Sequence, residues 1–446
     1  MKKLILAVAL LAVMTVPAMA AVQNVQVEGN VNSFYLFREN FDFVSTNYDQ
    51  QSIFFTTAIL QVGADLTDNV RAVIRLINER VWEEEPGTSN SDVDVNLAFV
   101  ELRELLYSPL TVIIGRQDWR YGNSFIFDSA GTNDEAPSDS GIDGVAVDLT
   151  AQTALDAIRF ILDYNPLVIE AFFALQDHNT VALSDIDDDL YYTGLNATYK
   201  VGDSMDTVVE GYLFTRTDKS DTTGSSDYDV DFLKIVGGRF STNPLEGLNL
   251  QGEIAHQGGT ISDSPSADND QSRDAWGFQG IVNYKVPALK DYNPVLQYVF
   301  TKVYGNTSTT TDEEYTAWDP MRENQGGGTI YNTLFSLSGA IIHTISLSAN
   351  PMEDVTSKLS VTKLLMTEDV DATSMTINQP DTGTAAPTIL PGSARELGVE
   401  VDFETKYDYT EDVQFGLNVG VFKPNGSLFL TNENAKQVIA NVNVAF

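Results

Sequence analysis

The sequence predicts an all-β chain that folds as a single transmembrane antiparallel β-barrel of about 18 strands. Three observations lead to this prediction. They are an export signal at the N-terminus, segments of about ten residues that alternate in polarity, and connections that alternate between short and long. Together they indicate a chain that is exported through the inner membrane and then spans the outer membrane with strands.

The N-terminus has the organisation of a signal peptide. Lys2 and Lys3 precede an apolar run from Leu4 to Val16, and small residues follow up to Ala20. The alternative is a retained anchor, but a spanning helix needs roughly 20 apolar residues and this run is shorter. We therefore predict that residues 1–20 are a cleaved signal peptide and that 21–446 form the outer-membrane barrel.

Period-two alternation predicts the strands. Near the C-terminus, Val399, Val401 and Phe403 alternate with Glu400, Asp402 and Glu404, which places the two sets on opposite faces of one strand. The last strand has the same pattern and ends on Phe446. An amphipathic final strand ending in phenylalanine is a recognition signal for the outer-membrane barrel-assembly machinery, which we expect to be a partner.

The connections separate this barrel from a soluble β-sandwich, because outer-membrane barrels have tight periplasmic turns and long extracellular loops. The segment 151–166 is harder to interpret: it could prolong a strand, form a periplasmic insertion or pair as an extra strand. The short connections are Thr67–Asn69, Tyr107–Pro109, Gly202–Met205, Asn243–Gly247, Met352–Asp354 and Thr410–Asp412. The long ones are 83–92, 128–142, 177–189, 217–229, 258–274, 305–330, 368–395 and 423–436.

Charge and composition narrow the partners. The chain has 26 basic and 63 acidic residues, a net charge of −37, which excludes nucleic acid as a natural partner. Outer-membrane lipid and lipopolysaccharide bridged by divalent cations fit this surface, although the acidic excess could simply keep exposed loops soluble. The absence of cysteine excludes disulfides and thiolate chemistry.

A barrel of this size has an aqueous lumen, and charged side chains in the lumen set selectivity. Arg71 and Arg75 share one parity, and we expect both to face the lumen because arginine on the lipid face costs about 2–4 kcal/mol at the bilayer midplane. They could form a transverse field with opposing carboxylates of the Glu400–Glu404 face, or an ion-pair lattice that only stiffens the wall. Arg116 could line a constriction or pair with a carboxylate of a neighbouring strand.

Loops 305–330 and 368–395 are long enough to fold back into the lumen, although each could also be a flexible extracellular tip.

The three histidines lack metal-ligand spacing and no nucleophile elbow is present, so we expect no enzyme activity, no metal and no cofactor.

Several short motifs, in the same order along the chain, resemble those of the alginate-export family of outer-membrane porins. They are Ile114-Gly115-Arg116-Gln117 followed by Tyr121-Gly122, Asp143-Gly144-Val145 as the opening of the next strand, Leu397-Gly398-Val399-Glu400-Val401-Asp402, and Phe422-Lys423-Pro424-Asn425-Gly426. The resemblance covers most of the mature chain. It implies an 18-stranded barrel, in a family whose best-known member conducts a polyanionic polysaccharide through a cationic lumen.

These observations predict a porin of the cell outer membrane through which small solutes or ions diffuse passively. Basic residues are few, so small cations, neutral solutes and sugars are at least as compatible as a polyanion. The alternatives are a channel that exports or takes up an oligosaccharide or polysaccharide, a scaffold barrel around an electron-transfer cytochrome, and a surface adhesin. A homo-oligomer is compatible with the sequence, but no feature requires one.

Overall fold

The computed structural model describes most of the chain after the leader. The described residues are 24–46, 49–82, 93–130, 142, 145–176, 190–219, 230–261, 271–306, 314–324, 326–367, 387, 390 and 394–446. The predicted signal peptide lies outside them, as does most of the long connection 368–395.

Eighteen strands form one sheet, which confirms the predicted fold class. Their lengths of 8 to 17 residues suit strands that cross a bilayer at a tilt. The strands are β1 Asn24–Glu39, β2 Gln51–Thr67, β3 Val70–Val81, β4 Asp94–Leu102, β5 Leu110–Gln117, β6 Leu155–Asp163, β7 Leu167–Gln176, β8 Leu190–Lys200, β9 Val208–Asp218, β10 Asp231–Leu245, β11 Leu248–Ile261, β12 Gln271–Lys285, β13 Val295–Val303, β14 Ala340–Met352, β15 Val355–Met366, β16 Glu396–Asp408, β17 Val413–Pro424 and β18 Ala435–Ala445.

Each strand pairs antiparallel with its neighbour in sequence, and β1 pairs with β18 to close the barrel. The closing register runs from Asn30 opposite Ala445 to Glu39 opposite Lys436. Closure satisfies the backbone hydrogen bonds of the ladder and leaves no free sheet edge, which a strand protein needs within lipid. Among the described residues, no helix is long and apolar enough to cross a membrane.

The two faces of the wall differ as the alternation predicts. On β16, Val401 and Phe403 are each 41% exposed on the outer face, whereas the intervening Asp402 is 7% exposed and Glu400 is fully buried inside. Apolar side chains are the exposed ones because the outer face meets lipid, not water. Polar side chains are covered because segments of the chain fill part of the lumen.

The connections also follow the predicted asymmetry. Residues 151–166 form the beginning of the β6–β7 hairpin, with β6 from Leu155 and a tight turn around Tyr164 and Pro166, so the extra-strand interpretation is the correct one. Of the expected strand opening at Asp143–Val145, Asp143 and Gly144 lie outside the described residues. No strand opens at Val145, which lies in a turn and is followed by a 3-10 turn at Val147–Leu149.

The described residues of two extracellular connections fold into the barrel. We call residues 118–154 the first inward loop and residues 304–339 the second inward loop; the second contains a short helix, α1 (Thr329–Leu334). Both contribute buried apolar side chains to one cluster with the inner wall. The buried members from the loops include Trp119, Tyr121, Phe125, Ile126, Phe127, Trp318, Met321, Ile330, Tyr331, Leu334, Phe335 and Leu337.

Candidate functional site

The extracellular half of the lumen is packed with aromatic side chains. Phe127 of the first inward loop contacts Trp119, Phe172 and Phe214, with ring centroids 5.3, 5.0 and 6.0 Å apart. Phe125 stacks on Trp318 of the second inward loop at 5.8 Å. Burying rings against the inner wall offsets the entropic cost of ordering long loops. For the second inward loop, this excludes the interpretation as an extracellular tip.

The two loops are also joined by their backbones. Asp128 donates to the carbonyl of Arg322 at 2.7 Å, Arg322 donates to Ile126 at 3.3 Å, and Asn324 donates to Ser124 at 2.8 Å. These bonds form a short parallel bridge between chain segments almost 200 residues apart. The inward loops therefore form one body that sits in the lumen.

An ion-pair cluster attaches the second inward loop to the wall. The Asp319 carboxylate is 2.7 Å from Arg216 of β9 and 2.8 Å from Arg273 of β12. Both arginines also contact Asp231 of β10, at 3.4 and 2.5 Å. Burial raises the pKa of Asp319, but the two guanidinium groups outweigh burial and lower this pKa below its ordinary value. Asp319 is thus held ionised between two arginines.

This cluster gives a defined pH response. A lowered pKa means that the ionised Asp319 stabilises the loop above the ordinary value of 3.8, and that this contribution is lost as pH falls through the lower folded pKa. We expect the fluorescence of the neighbouring, buried Trp318 to stay constant from pH 8 to about 4 and to change only below pH 3.8. Asp319→Asn should abolish that acid transition. A transition near pH 6 that persists in the variant would contradict the assignment.

Glu400 and Asp402 bind α1 from the wall. The Glu400 carboxylate accepts hydrogen bonds from the backbone N–H groups of Ile330 at 2.7 Å and Tyr331 at 2.9 Å, and Asp402 accepts from the Thr329 hydroxyl at 2.8 Å. Carboxylates stabilise the first turn of a helix because its N–H groups lack intrahelical partners. Gly328 has φ 145°, and a Cβ at this position would lie 2.4 Å from the Glu400 carboxyl carbon. Two of the three predicted selectivity carboxylates therefore hold the second inward loop.

The third carboxylate stays open to the lumen. Glu404 lies on the inner face, with its side chain 38% exposed, and contacts the Lys406 amine at 2.9 Å. Lys358 of β15 is its register partner. Of the three, Glu404 is the one placed to meet a passing ion.

Arg71 and Arg75 face the lumen as the parity argument expects. Arg75 donates to Gln61 at 2.9 Å and approaches Asp118 at 3.3 Å, and Arg71 lies between Asp65 and Glu101 in register. The structure does not place them opposite the β16 carboxylates. In a ring of 18 strands, β12 is opposite β3, and only four strands separate β3 from β16. A transverse field between these two sets is therefore ruled out.

Arg116 is not in the lumen. It pairs in register with Asp156, whose parity on β6 is that of the exposed Ile158 and Phe160, and its guanidinium is 3.4 Å from the Asp156 carboxylate. Arg116 therefore lies on the outer face near the extracellular end of β5. The prediction of a constriction residue is corrected to the alternative of a pair with a neighbouring carboxylate.

Most of the charged residues that line the lumen were not predicted from the sequence. Arg159 contacts Glu170 at 2.8 Å, which also accepts from the Tyr121 hydroxyl at 3.5 Å. Arg239 contacts Glu210 at 2.5 Å under the first inward loop. These residues alternate on their strands like any other lumen residue, so the sequence indicates their face but not their partners.

A further ion pair joins the first inward loop to the barrel seam. Arg38 of β1 is fully buried, contacts Asp148 at 2.5 Å and donates to Gln437 of β18 at 2.8 Å. Thr333 of α1 also donates to Asp148, at 3.3 Å. Asp148 thus links the wall to both inward loops.

Within the described residues, no group of three or more histidine or acidic side chains could hold a metal ion. His256 and His343 lie on the outer face, where they contact Trp276 and Phe300. His178 lies outside the described residues. The described part of the lumen instead carries ion pairs, amides and hydroxyl groups, which can bind ions and polar solutes as they pass.

Comparison with known proteins agrees with this architecture. The barrel is similar to solved outer-membrane porins of Pseudomonas aeruginosa, including OpdK with vanillate (10% identity, TM-score 0.57, 95% of this chain and 99% of that chain) and OccK2 (OpdF) in complex with glucuronate (10% identity, TM-score 0.57, 95% and 99%). It is also similar to a BenF-like porin from Pseudomonas fluorescens Pf-5 (10% identity, TM-score 0.56, 95% and 100%). At this identity the similarity shows the fold.

No curated protein sequence matches the chain. The model of the alginate export family matches residues 25–437, which is nearly all of the barrel. The family resemblance of the short motifs is thereby confirmed, as is the location in the outer membrane. The chain belongs to the alginate export family of outer-membrane barrel proteins.

Proposed function

We propose that the protein is a porin through which small solutes and ions diffuse passively, with a preference for cations and without a catalytic step. One observation carries the proposal: six lumen arginines are paired with carboxylates, whereas Glu28 has no basic side chain at ion-pair distance within the described residues. The pairs are Arg38–Asp148, Arg75–Asp118, Arg159–Glu170, Arg216–Asp319, Arg239–Glu210 and Arg273–Asp231.

The remaining carboxylates make the lumen favour cations over anions. The exposed Glu28 of β1 lies at the periplasmic side, where it accepts a hydrogen bond from Gln61 at 3.0 Å. Glu404 is partly open to the lumen, although it also contacts the Lys406 amine at 2.9 Å. A cavity of about 580 Å³ borders Glu28, Gln61 and Arg75. A polyanion entering here would meet Glu28 and an Arg75 already paired with Asp118, so transport of an acidic polysaccharide is disfavoured.

Uncharged polar solutes are the second candidate, because one sector of the wall is lined by amides. Asn283 of β12 donates to Asn249 of β11 at 3.3 Å, Gln297 of β13 donates to Asn283 at 2.8 Å, and Ser346 of β14 donates to Gln297 at 3.4 Å. Amides and hydroxyl groups exchange hydrogen bonds with sugar hydroxyls at little electrostatic cost. Swelling of liposomes in neutral sugars would measure this route.

Ion selectivity tests the proposal. In a planar bilayer under a KCl gradient, the reversal potential of the mature protein should show cation preference. Glu28→Gln with Glu404→Gln should reduce this preference, because both substitutions remove lumen charge while preserving size. Glu396→Gln is the matched control, since Glu396 lies on the outer face beside Lys363.

Two outcomes would overturn the proposal. Anion preference would favour a path for polyanions along Arg71 and Arg75. A well-folded protein without conductance, even after prolonged voltage, would favour an adhesin or a cytochrome scaffold. Assembly by the barrel-assembly machinery, with Phe446 as the recognised residue, is part of the same proposal.

A further inference from the structure

The outer face of the barrel carries a row of register partners, including one histidine and two lysines, that the channel function does not use. Phe300 of β13, His343 of β14, Lys363 of β15, Val399 of β16 and Lys423 of β17 are successive register partners. They therefore form one line across five adjacent strands. Lys363 and Lys423 are exposed, and the single strand between them sets their backbones about 10 Å apart.

This row lies at the extracellular side of the membrane band. Lys363 is near the end of β15, which runs outward to Met366, and Lys423 is one residue before the end of β17. Lys302, two residues beyond Phe300 on β13, extends the row outward. Lysine on the lipid face costs about 2–4 kcal/mol at the midplane but about 0–1 near the interface, which explains this placement.

The surface on the periplasmic side of the row is apolar. Leu359 and Val361 of β15 and Val401 and Phe403 of β16 are exposed on the outer face. A molecule that contacts both surfaces must therefore combine acyl chains with an anionic group at the level of the lysines. This is the chemistry of a phosphorylated glycolipid in the outer leaflet.

The local charge is cationic although the chain carries −37. Glu396 is 3.4 Å from the Lys363 amine, with both side chains substantially exposed. The Lys302 amine lies 5.0 Å from the centre of the Tyr304 ring. Within the described residues, no carboxylate is found at ion-pair distance from Lys302 or Lys423. The row has spare positive charge directed at the membrane interface.

We propose that Lys363 and Lys423, supported by Lys302, bind a phosphate of lipopolysaccharide directly. Val399 between the two lysines leaves room for a phosphate that both amines contact, and the apolar surface below takes the acyl chains. Lysine binds phosphate as a mobile point charge, so these lysines can bind a phosphate without a rigid pocket around it. The contact is independent of the divalent cations expected to bridge lipid to the acidic loops.

The test uses the mature protein purified in detergent and titrated with diphosphorylated lipid A in EDTA, with binding followed by native mass spectrometry. Lys363→Gln with Lys423→Gln should weaken binding about thirtyfold, since each interfacial lysine contributes about a factor of five. Lys200→Gln with Lys285→Gln is the matched control, because both lysines lie at the periplasmic ends of strands. Lys363→Arg with Lys423→Arg should retain binding and shows that the sites tolerate substitution.

Three results would overturn the proposal. Equal binding by the glutamine variant and the control would show that the row is not the site. Equal binding of phosphatidylglycerol and lipid A would show a general anionic surface. Full competition by millimolar inorganic phosphate would show a site for free phosphate. Ion selectivity of the pore is measured separately, so failure here leaves the channel proposal untouched.

Discussion

Channels carrying Asp319→Ala are expected to conduct more and to fluctuate more than the wild type. The substitution leaves Arg216 and Arg273 with Asp231 as their remaining shared carboxylate, so the buried cluster then has two positive charges against one negative charge. Removing one member of a buried ion cluster costs about 3–5 kcal/mol. A cost of about 3 kcal/mol raises the population of the released loop by about two orders of magnitude.

Single-channel recording in a planar bilayer measures this effect as mean conductance and open-channel noise. Asp274→Ala is the matched control, because the Asp274 carboxylate pairs with His256 on the outer face and alanine keeps the backbone N–H that donates to Tyr315 of the second inward loop at 3.0 Å. Heat-modifiable gel mobility checks that both variants are folded barrels. Wild-type conductance and noise in Asp319→Ala would show that the ion cluster does not restrain the loop.

Cells expressing Phe446→Ala should have only a small fraction of the wild-type protein in the outer membrane. Phe446 closes the seam with β1: its N–H donates to Gly29 at 3.0 Å, and its carbonyl accepts from the Gly29 N–H at 2.7 Å. The ring lies over Gly29, but 72% of the residue is exposed. Because alanine keeps both backbone bonds and little packing is lost, stability should change by less than about 1 kcal/mol.

The effect is therefore expected during assembly and not in the folded barrel. Immunoblots of outer-membrane fractions measure the amount in cells, and urea unfolding of refolded protein measures stability. Phe446→Trp should restore insertion, and Phe415→Ala, which removes another exposed ring from the outer face, should leave it normal. Normal insertion of Phe446→Ala would contradict a role of the terminal ring in recognition.

The strands were predictable because a transmembrane strand has only two environments, lipid and lumen. That contrast repeats every second residue, so the sequence of β16 or β18 is enough to assign their faces. Arg116 shows the limit of this argument. Ile113 and Ile114 are both apolar, and the outward direction of Arg116 follows from its pairing with Asp156, about 40 residues away.

The contents of the lumen were less predictable, since they depend on contacts between distant segments. Asp319 meets Arg216 across about 100 residues, and Asp148 meets Arg38 across 110. One local signal was present in the first inward loop. Trp119, Tyr121, Phe125 and Phe127 are too apolar for a connection surrounded by water, and such a run indicates a loop that packs inside.

The backbone bridge between the inward loops has a thermodynamic consequence. Asp128 and Asn324 connect segments whose other ends are bound separately, by Arg38 through Asp148 and by Glu400 through α1. Neither segment can leave the barrel without breaking the bridge or taking the other with it. The two loops therefore share one cooperative unit of local unfolding, and the lumen has two states, filled and cleared, in place of a continuum of partial openings.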